Sequence, residues 1–156
     1  MKVRNLLGMP VTITREGEQA GSVCDVVVTP DLAVRGLVVE DRRGRMWFVA
    51  CGEFTIGKDS VLVPSGEGLK SYDRREDLVY KQRMGEPVWD ASGQEFGTLS
   101  DLVVEPDTGR ATAIEISSGV VRDFLEGRRA EVPLERVQAR AAGITLIEPE
   151  EGSGIT

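Results

Sequence analysis

The chain has 156 residues, of which 40% are hydrophobic and 29% are charged. This composition is typical of a soluble globular protein of one ordinary domain or two very small ones, and it excludes disordered, collagen-like and membrane classes. The net charge of -7 disfavours general binding to a nucleic-acid backbone but leaves a local basic patch open, and the absence of histidine removes His-dependent catalytic triads and most zinc or iron sites.

The N-terminal segment holds only a short apolar stretch, which Gly8 and Pro10 interrupt. A secretory signal needs an apolar region of roughly 7–15 residues and a membrane-spanning helix needs about 20, so neither is predicted. Cys24 and Cys51 lie in apolar surroundings outside any CxxC motif, which favours two reduced, part-buried thiols; a disulfide or a reactive thiol is the alternative. We expect a cytoplasmic protein.

The strongest signal in the sequence is an internal repeat. The stretch 17–31 matches the stretch 93–107, and the Pro-Val pair that starts at Pro10 returns at Pro87. Self-similarity of this kind predicts two copies of one small unit. The predicted bounds are 1–66 and 84–150 for the two units, 67–83 for a linker and 151–156 for a flexible tail.

Each unit has the pattern of short β-strands. A Pro-Val opening leads to a glycine turn, a Val-rich run, a Pro-Asp turn and a second apolar run, at 36–40 in the first unit and 111–117 in the second. β-Branched residues favour strands, and turns that recur about every 8–12 residues are typical of a small barrel or sandwich. We therefore predict an all-β fold with only short 3-10 or helical turns.

Helical patterns are scarce. Pro133 predicts a single turn, α or 3-10, directly after it. The segment 73–83 is ambiguous, because the spacing of Asp77 and Lys81 supports a helix whereas its apolar residues alternate as in a strand. We favour a strand for Leu78–Gln82.

The repeated pattern resembles the PRC-barrel family, whose domain is shared by the reaction-centre H subunit and a ribosome maturation factor. The residues that carry the resemblance are Gly21, Asp25-Val26-Val27-Val28 and 57–63 in the first copy, and Gly97 and Asp101-Leu102-Val103-Val104 in the second. The second copy departs from the pattern at 141–144, where Ala-Ala-Gly-Ile replaces Gly-Lys-Asp-Ser. The resemblance implies two tandem small antiparallel β-barrels that act by binding partners, and it implies no enzyme activity.

Asp25 and Asp101 occupy equivalent positions and are the candidates for a carboxylate pair. An aspartic-protease-like site has Asp followed by Thr or Ser and then Gly, whereas here a Val or Leu follows. We instead expect each carboxylate to accept backbone N–H bonds at a bend in its strand. We expect no enzyme activity, metal or cofactor, and we expect Trp89 to pack against the core.

A basic cluster beside a tryptophan is the candidate binding patch. Arginines next to an aromatic ring can pair with acids on a protein partner, or they can bind RNA phosphates and stack a base. A solvated hairpin tip whose aromatic residues return to the core is the simpler interpretation. The candidate residues are Arg42, Arg43, Arg45 and Trp47, with Arg128 and Arg129 in the equivalent region of the second unit.

The sequence thus predicts a non-catalytic protein-interaction or assembly module whose protein partner is unidentified. Association with RNA or the ribosome during ribosome assembly is the alternative, although the net charge counts against it. A unit of about 70 residues buries little core by itself. We therefore expect the two units to pack together or the chain to form a homodimer.

Overall fold

The structure is a computed structural model and describes residues 1–73, 77–118 and 130–147. Within these residues, the first unit contains helix α1 (Val3–Leu6) and strands β1 (Pro10–Ile13), β2 (Glu18–Val28), β3 (Val34–Glu40), β4 (Met46–Ala50), β5 (Thr55–Ile56), β6 (Val61–Val63) and β7 (Leu69–Ser71). The second contains helix α2 (Tyr80–Arg83) and strands β8 (Pro87–Trp89), β9 (Glu95–Val104), β10 (Ala111–Ser117), β11 (Ala130–Pro133), β12 (Val137–Arg140) and β13 (Gly143–Leu146). A 3-10 turn at Leu134–Arg136 confirms the single turn predicted after Pro133.

The two sheets have the same topology. The first has the order β5-β6-β1-β2-β3-β4-β7, and the second has the order β12-β13-β8-β9-β10-β11. The all-β prediction of two repeated units is therefore confirmed. One pairing in each sheet is parallel rather than antiparallel, with Val11 opposite Val61 and Val88 opposite Ile144. Side chains alternate in the same way in both strand directions, so the sequence pattern could not reveal this difference.

Strand β7 extends the first sheet beyond the repeated strands. It lies in the segment 67–83, which the sequence assigns to a linker, and it pairs with β4 through Leu69 and Val49. Helix α2 lies in the same segment. The chain between the two repeated sheets is thus partly structured.

The glycine of the repeated motif permits a close approach of two strands. A Cβ atom at Gly21 would lie 2.3 Å from the carbonyl oxygen of Glu40, and one at Gly97 would lie 2.4 Å from that of Ser117. These distances are far shorter than any side chain tolerates, so only glycine fits. The glycine therefore fixes the pairing of β2 with β3 and of β9 with β10.

One hydrophobic core passes through both units. Its buried members come from both sheets and both helices and include Val3, Leu6, Val11, Val26, Leu37, Val49, Tyr80, Val88, Leu102, Ile114 and Ile144. Polar contacts also join the units, since the Ile56 amide donates to the Pro106 carbonyl at 3.0 Å and the Cys51 Sγ donates to the Thr108 carbonyl at 3.1 Å. These contacts confirm the prediction that the units pack together.

The two short helices are exchanged between the units. Helix α1 of the first unit packs on β9 of the second, and helix α2 packs on β2 of the first. The residues before the helices repeat this exchange, because Lys2 forms a β-bridge with Val103 and Val79 forms one with Val27. Each unit therefore supplies a small element that completes the other.

The strand predicted for Leu78–Gln82 is wrong. Val79 forms its single bridge in extended conformation, and the chain then turns into α2 at Tyr80. The helix is only one turn long, and a contact with the other unit stabilises its start: Asp25 accepts a hydrogen bond from the Lys81 amide at 3.2 Å. Local alternation cannot report a contact that comes from a distant strand.

Candidate interaction site

The predicted arginine cluster forms the tip of the β3–β4 hairpin, at residues 41–47, which we call the arginine hairpin. Asp41 organises it. Its Oδ1 accepts hydrogen bonds from the amides of Arg43 and Arg45 at 2.8 and 3.0 Å, and its Oδ2 accepts one from the Trp47 indole Nε1 at 3.0 Å. The Trp47 bond and these amide bonds lower the pKa of Asp41, so it remains a charged acceptor.

The arginines of this hairpin point into solvent, whereas its tryptophan is anchored. Arg42, Arg43 and Arg45 are exposed, and Trp47 is half-buried against the core. The Arg45 guanidinium lies over the Trp47 ring at 4.3 Å from the ring centroid, which is a cation–π contact. Phe48 also turns inward and stacks on Tyr72, with ring centroids 5.9 Å apart. The backbone turn that carries the three arginines is thus held in place by Asp41 and Trp47.

The structure brings the four first-unit candidates together in this one hairpin. The other two candidates, Arg128 and Arg129, lie outside the described residues.

Asp25 and Asp101 bind backbone amides, as expected from the sequence. Asp25 accepts bonds from its neighbour Val26 at 2.9 Å and from Lys81 in α2. Asp101 accepts bonds from its neighbour Leu102 at 2.8 Å and from Arg4 in α1 at 3.3 Å. Each aspartate of the repeated motif therefore holds the helix that belongs to the other unit.

Asp101 is also the centre of a polar network that sequence reasoning missed. Its Oδ1 accepts a hydrogen bond from the Tyr80 hydroxyl at 2.8 Å. The nearby carboxylate of Glu115 forms ion pairs with Lys2 and with Arg4, the latter at 2.9 Å. Burial and the bond to Asp101 raise the pKa of the Tyr80 hydroxyl, so it remains a neutral donor. We call this group the Tyr80 network.

The first unit has apolar residues where the second has the Tyr80 network. Val38 lies opposite Asp25, whereas Glu115 lies opposite Asp101. Helix α1 begins with Val3, whereas α2 begins with Tyr80. Comparison of the two repeats would have revealed this difference, because a polar residue replaces an apolar one at the same place. The network binds the two units of this chain together, and its acidic groups are already satisfied by these bonds.

Arg83, at the end of α2, is a further cross-unit contact. It is buried, and its guanidinium donates to both carboxylate oxygens of Glu86, at 2.7 and 3.0 Å. It also donates to the carbonyl of Pro30 at 3.0 Å and to that of Arg140 at 3.2 Å. A buried guanidinium with this many acceptors has a structural role.

A cleft of about 1100 Å³ lies between the units, beside the two Pro-Asp turns. Its lining carries both signs of charge, from Asp31, Asp107, Arg110 and Arg140, together with the Cys51 thiol. Burial raises the pKa of Cys51, so the thiol form is favoured and the sulfur is a weak nucleophile. Both cysteines are half-buried thiols, as predicted.

No cluster of three or more Cys, Asp or Glu side chains suited to a metal ion is found in the residues that the structure describes. In the same residues, no helix has the length and apolar character required to cross a bilayer.

The fold and the site define a small all-β module made of two tandem barrel-type units, with one exposed basic hairpin on the first. The family model for the PRC-barrel domain matches residues 1–70 and again residues 84–152. The chain therefore belongs to the PRC-barrel family and contains two tandem copies of its domain, which confirms the resemblance found in the sequence. No curated protein sequence matches the chain.

Proposed function

We propose that this protein is a non-catalytic protein-interaction module and that the arginine hairpin contacts its partner. The observation that carries this proposal is the hairpin geometry: three exposed arginines stand on a turn that Asp41 and Trp47 hold in place. A turn that is held in place before binding loses little conformational entropy when it binds, and the Arg45 guanidinium is also held over the Trp47 ring. Membership of the PRC-barrel family agrees with a binding role.

The use of the buried acids supports a non-catalytic role. Asp25, Asp101 and Glu115 are the buried carboxylates of the described residues, and each of them bonds to groups that join the two units. A carboxylate that holds the fold together in this way is a poor general base, because its lone pairs are occupied.

The expected partner is an acidic protein surface. RNA is the second candidate, since arginines beside an aromatic ring also suit phosphates and bases. However, Arg45 already covers one face of the Trp47 ring, and Asp41 already accepts a hydrogen bond from the indole N–H of Trp47. The net charge of -7 would also repel a phosphate backbone. The homodimer and the cytoplasmic location stay predictions. Light scattering tests whether the chain forms a homodimer.

The proposal is tested by affinity capture from a lysate of the source cell, with and without nuclease. In the variant Arg42→Ala/Arg43→Ala/Arg45→Ala, we expect capture of the protein partner to fall about tenfold or more, since interface arginines are frequent hot spots. A matched control, Arg15→Ala/Lys58→Ala/Arg136→Ala, removes the same charge from exposed positions outside the arginine hairpin and its neighbouring strand and is expected to behave as wild type. Capture that nuclease abolishes would favour RNA, and equal losses in both variants would refute a role for the hairpin.

A further inference from the structure

Three of the four exposed large hydrophobic side chains of the described residues lie on the second unit, and two of these three are aromatic. Trp89 on β8 is 37% exposed and Phe96 on β9 is 41% exposed, so the expectation that Trp89 packs against the core is wrong. Exposed aromatic residues that lie side by side are typical of binding surfaces rather than of random surface positions.

A β-bulge brings these two aromatic residues to the same face. Trp89 pairs with Glu95 while Val88 pairs with Gly97, so Glu95 and Phe96 together oppose Trp89. Val88 and Gly97 are buried, whereas the three residues of the bulge are exposed. This part of the sheet therefore presents two aromatic side chains and a carboxylate, and we call it the aromatic face (Trp89, Glu95 and Phe96).

The first unit shows that the fold does not need these aromatic residues. Its equivalent bulge has Thr12 opposite Gln19, with Ala20 as the extra residue. Thus Thr12 stands in the place of Trp89, and Ala20 in the place of Phe96. The same strand pairing forms with small side chains, which leaves the aromatic face without a packing role that the repeat requires.

The chemistry of the aromatic face matches a cation. Among the described residues no hydrogen bond or ion pair forms to the Glu95 carboxylate, and a positive group above an aromatic ring is attracted by the π electrons. The protein already contains this combination in the arginine hairpin, where Arg45 stacks on Trp47 beside Asp41. In the first unit the chain supplies its own arginine, whereas no arginine or lysine of the described residues stacks on the aromatic face.

We propose that the aromatic face binds arginine or lysine side chains of a basic protein segment. The net charge of -7 favours a cationic partner, and Glu95 disfavours both nucleic acid and a purely apolar surface, because its charge would be repelled or desolvated. This surface is independent of the arginine hairpin and has the opposite charge preference. The arginine hairpin thus suits an acidic partner, and the aromatic face suits a basic partner.

The test uses a short Gly-Ser peptide with several arginines and a twin in which citrulline replaces each arginine. Binding is followed by NMR at the indole N–H of Trp89, with that of Trp47 as an internal reference. We expect a saturable shift of Trp89 with a Kd of about 1 mM for the arginine peptide only. Added salt is expected to weaken the binding.

Two variants locate the site. Trp89→Thr/Phe96→Ala carries the residues of the first unit and is expected to weaken binding about tenfold or more, as measured by the backbone signals of β9. Glu95→Gln keeps both rings and is expected to weaken it about threefold, so the proposal stays testable even if the double variant folds poorly. Leu62→Thr, at an exposed hydrophobic position of the first unit, is the matched control and is expected to bind as wild type.

Three results would overturn the proposal. Equal binding of the citrulline peptide would show that the charge is not recognised. Equal binding by Trp89→Thr/Phe96→Ala would show that the peptide binds elsewhere. Self-association that light scattering detects in wild type but not in this variant would show that a second copy covers the face.

Discussion

Replacement of Asp101 by alanine is expected to destabilise the protein by about 2–4 kcal/mol, because it removes a buried acceptor that serves three hydrogen-bond donors. The Asp101 side chain is 0% exposed and holds the Tyr80 hydroxyl, two backbone amides and the Arg4 guanidinium. Its loss leaves the Tyr80 hydroxyl and the two amides without this acceptor in a place that water reaches poorly, whereas the Arg4 guanidinium keeps its bonds to Glu115. The measurement is urea-induced unfolding followed by circular dichroism.

The repeat supplies the control for this prediction. Asp25 stands at the equivalent position but, among the described residues, its carboxylate binds two backbone amides and no side chain, so Asp25→Ala is expected to cost about 1–2 kcal/mol. Tyr80→Phe removes one bond of the Tyr80 network and is expected to cost about 1–2 kcal/mol as well. An Asp101→Ala variant as stable as Asp25→Ala would contradict the structural role assigned to the network.

Replacement of Gly97 by alanine is expected to cost about 3 kcal/mol. The new Cβ would lie 2.4 Å from the Ser117 carbonyl oxygen and 2.9 Å from the Ile116 Cγ2. Relief of this clash requires β9 and β10 to move apart, and their pairing is the longest in the second unit. Thermal unfolding of the purified variant measures the effect.

Gly143→Ala is the matched control, because a Cβ atom at Gly143 has no other atom within 4 Å. This variant is expected to change the stability by no more than about 0.5 kcal/mol. Similar melting temperatures for the two variants would show that the glycine of the motif has no steric role.

The fold was largely predictable because its determinants are local and occur twice. The glycine and the aspartate of each motif have the same structural tasks in both units, and the β-branched runs between turns form the strands. Because the pattern occurs twice with the same spacing, each copy supports the strand and turn positions predicted for the other. The parallel pairing of β1 with β6 was not predictable, because four other strands lie between them along the chain. Side chains also alternate in the same way in parallel and antiparallel strands.

The contacts between the units could not be read from local pattern. Helix α2 is one turn long, and Asp25, far away in sequence, accepts a bond from its backbone. The Tyr80 network joins Lys2 to Glu115 across 113 positions of the chain. Such contacts depend on how the two sheets pack, which single-residue propensities do not encode. An alignment of the two repeats nevertheless shows that Glu115 stands where the first unit has Val38.

The same comparison of repeats, applied to exposed side chains, identifies residues that the shared fold does not require. Where both units have the same residue type, as at Gly21 and Gly97, the residue serves the fold. Where the second unit has exposed aromatic residues and the first has Thr12 and Ala20, packing does not explain the difference. The arginine hairpin and the aromatic face are therefore the surfaces that we assign to partners, while the contacts between the units hold the two repeats in one body.

That the two repeats form one cooperative body is tested most directly by urea unfolding with one tryptophan in each unit. The variant Trp89→Phe leaves Trp47 as a probe of the first unit, and Trp47→Phe leaves Trp89 as a probe of the second. Each is measured alone and together with Asp101→Ala. One shared core and two exchanged helices predict that Asp101→Ala lowers the midpoints reported by both probes by the same amount. A shift of the Trp89 transition while the Trp47 transition stays in place would contradict the account and show two independently folding units.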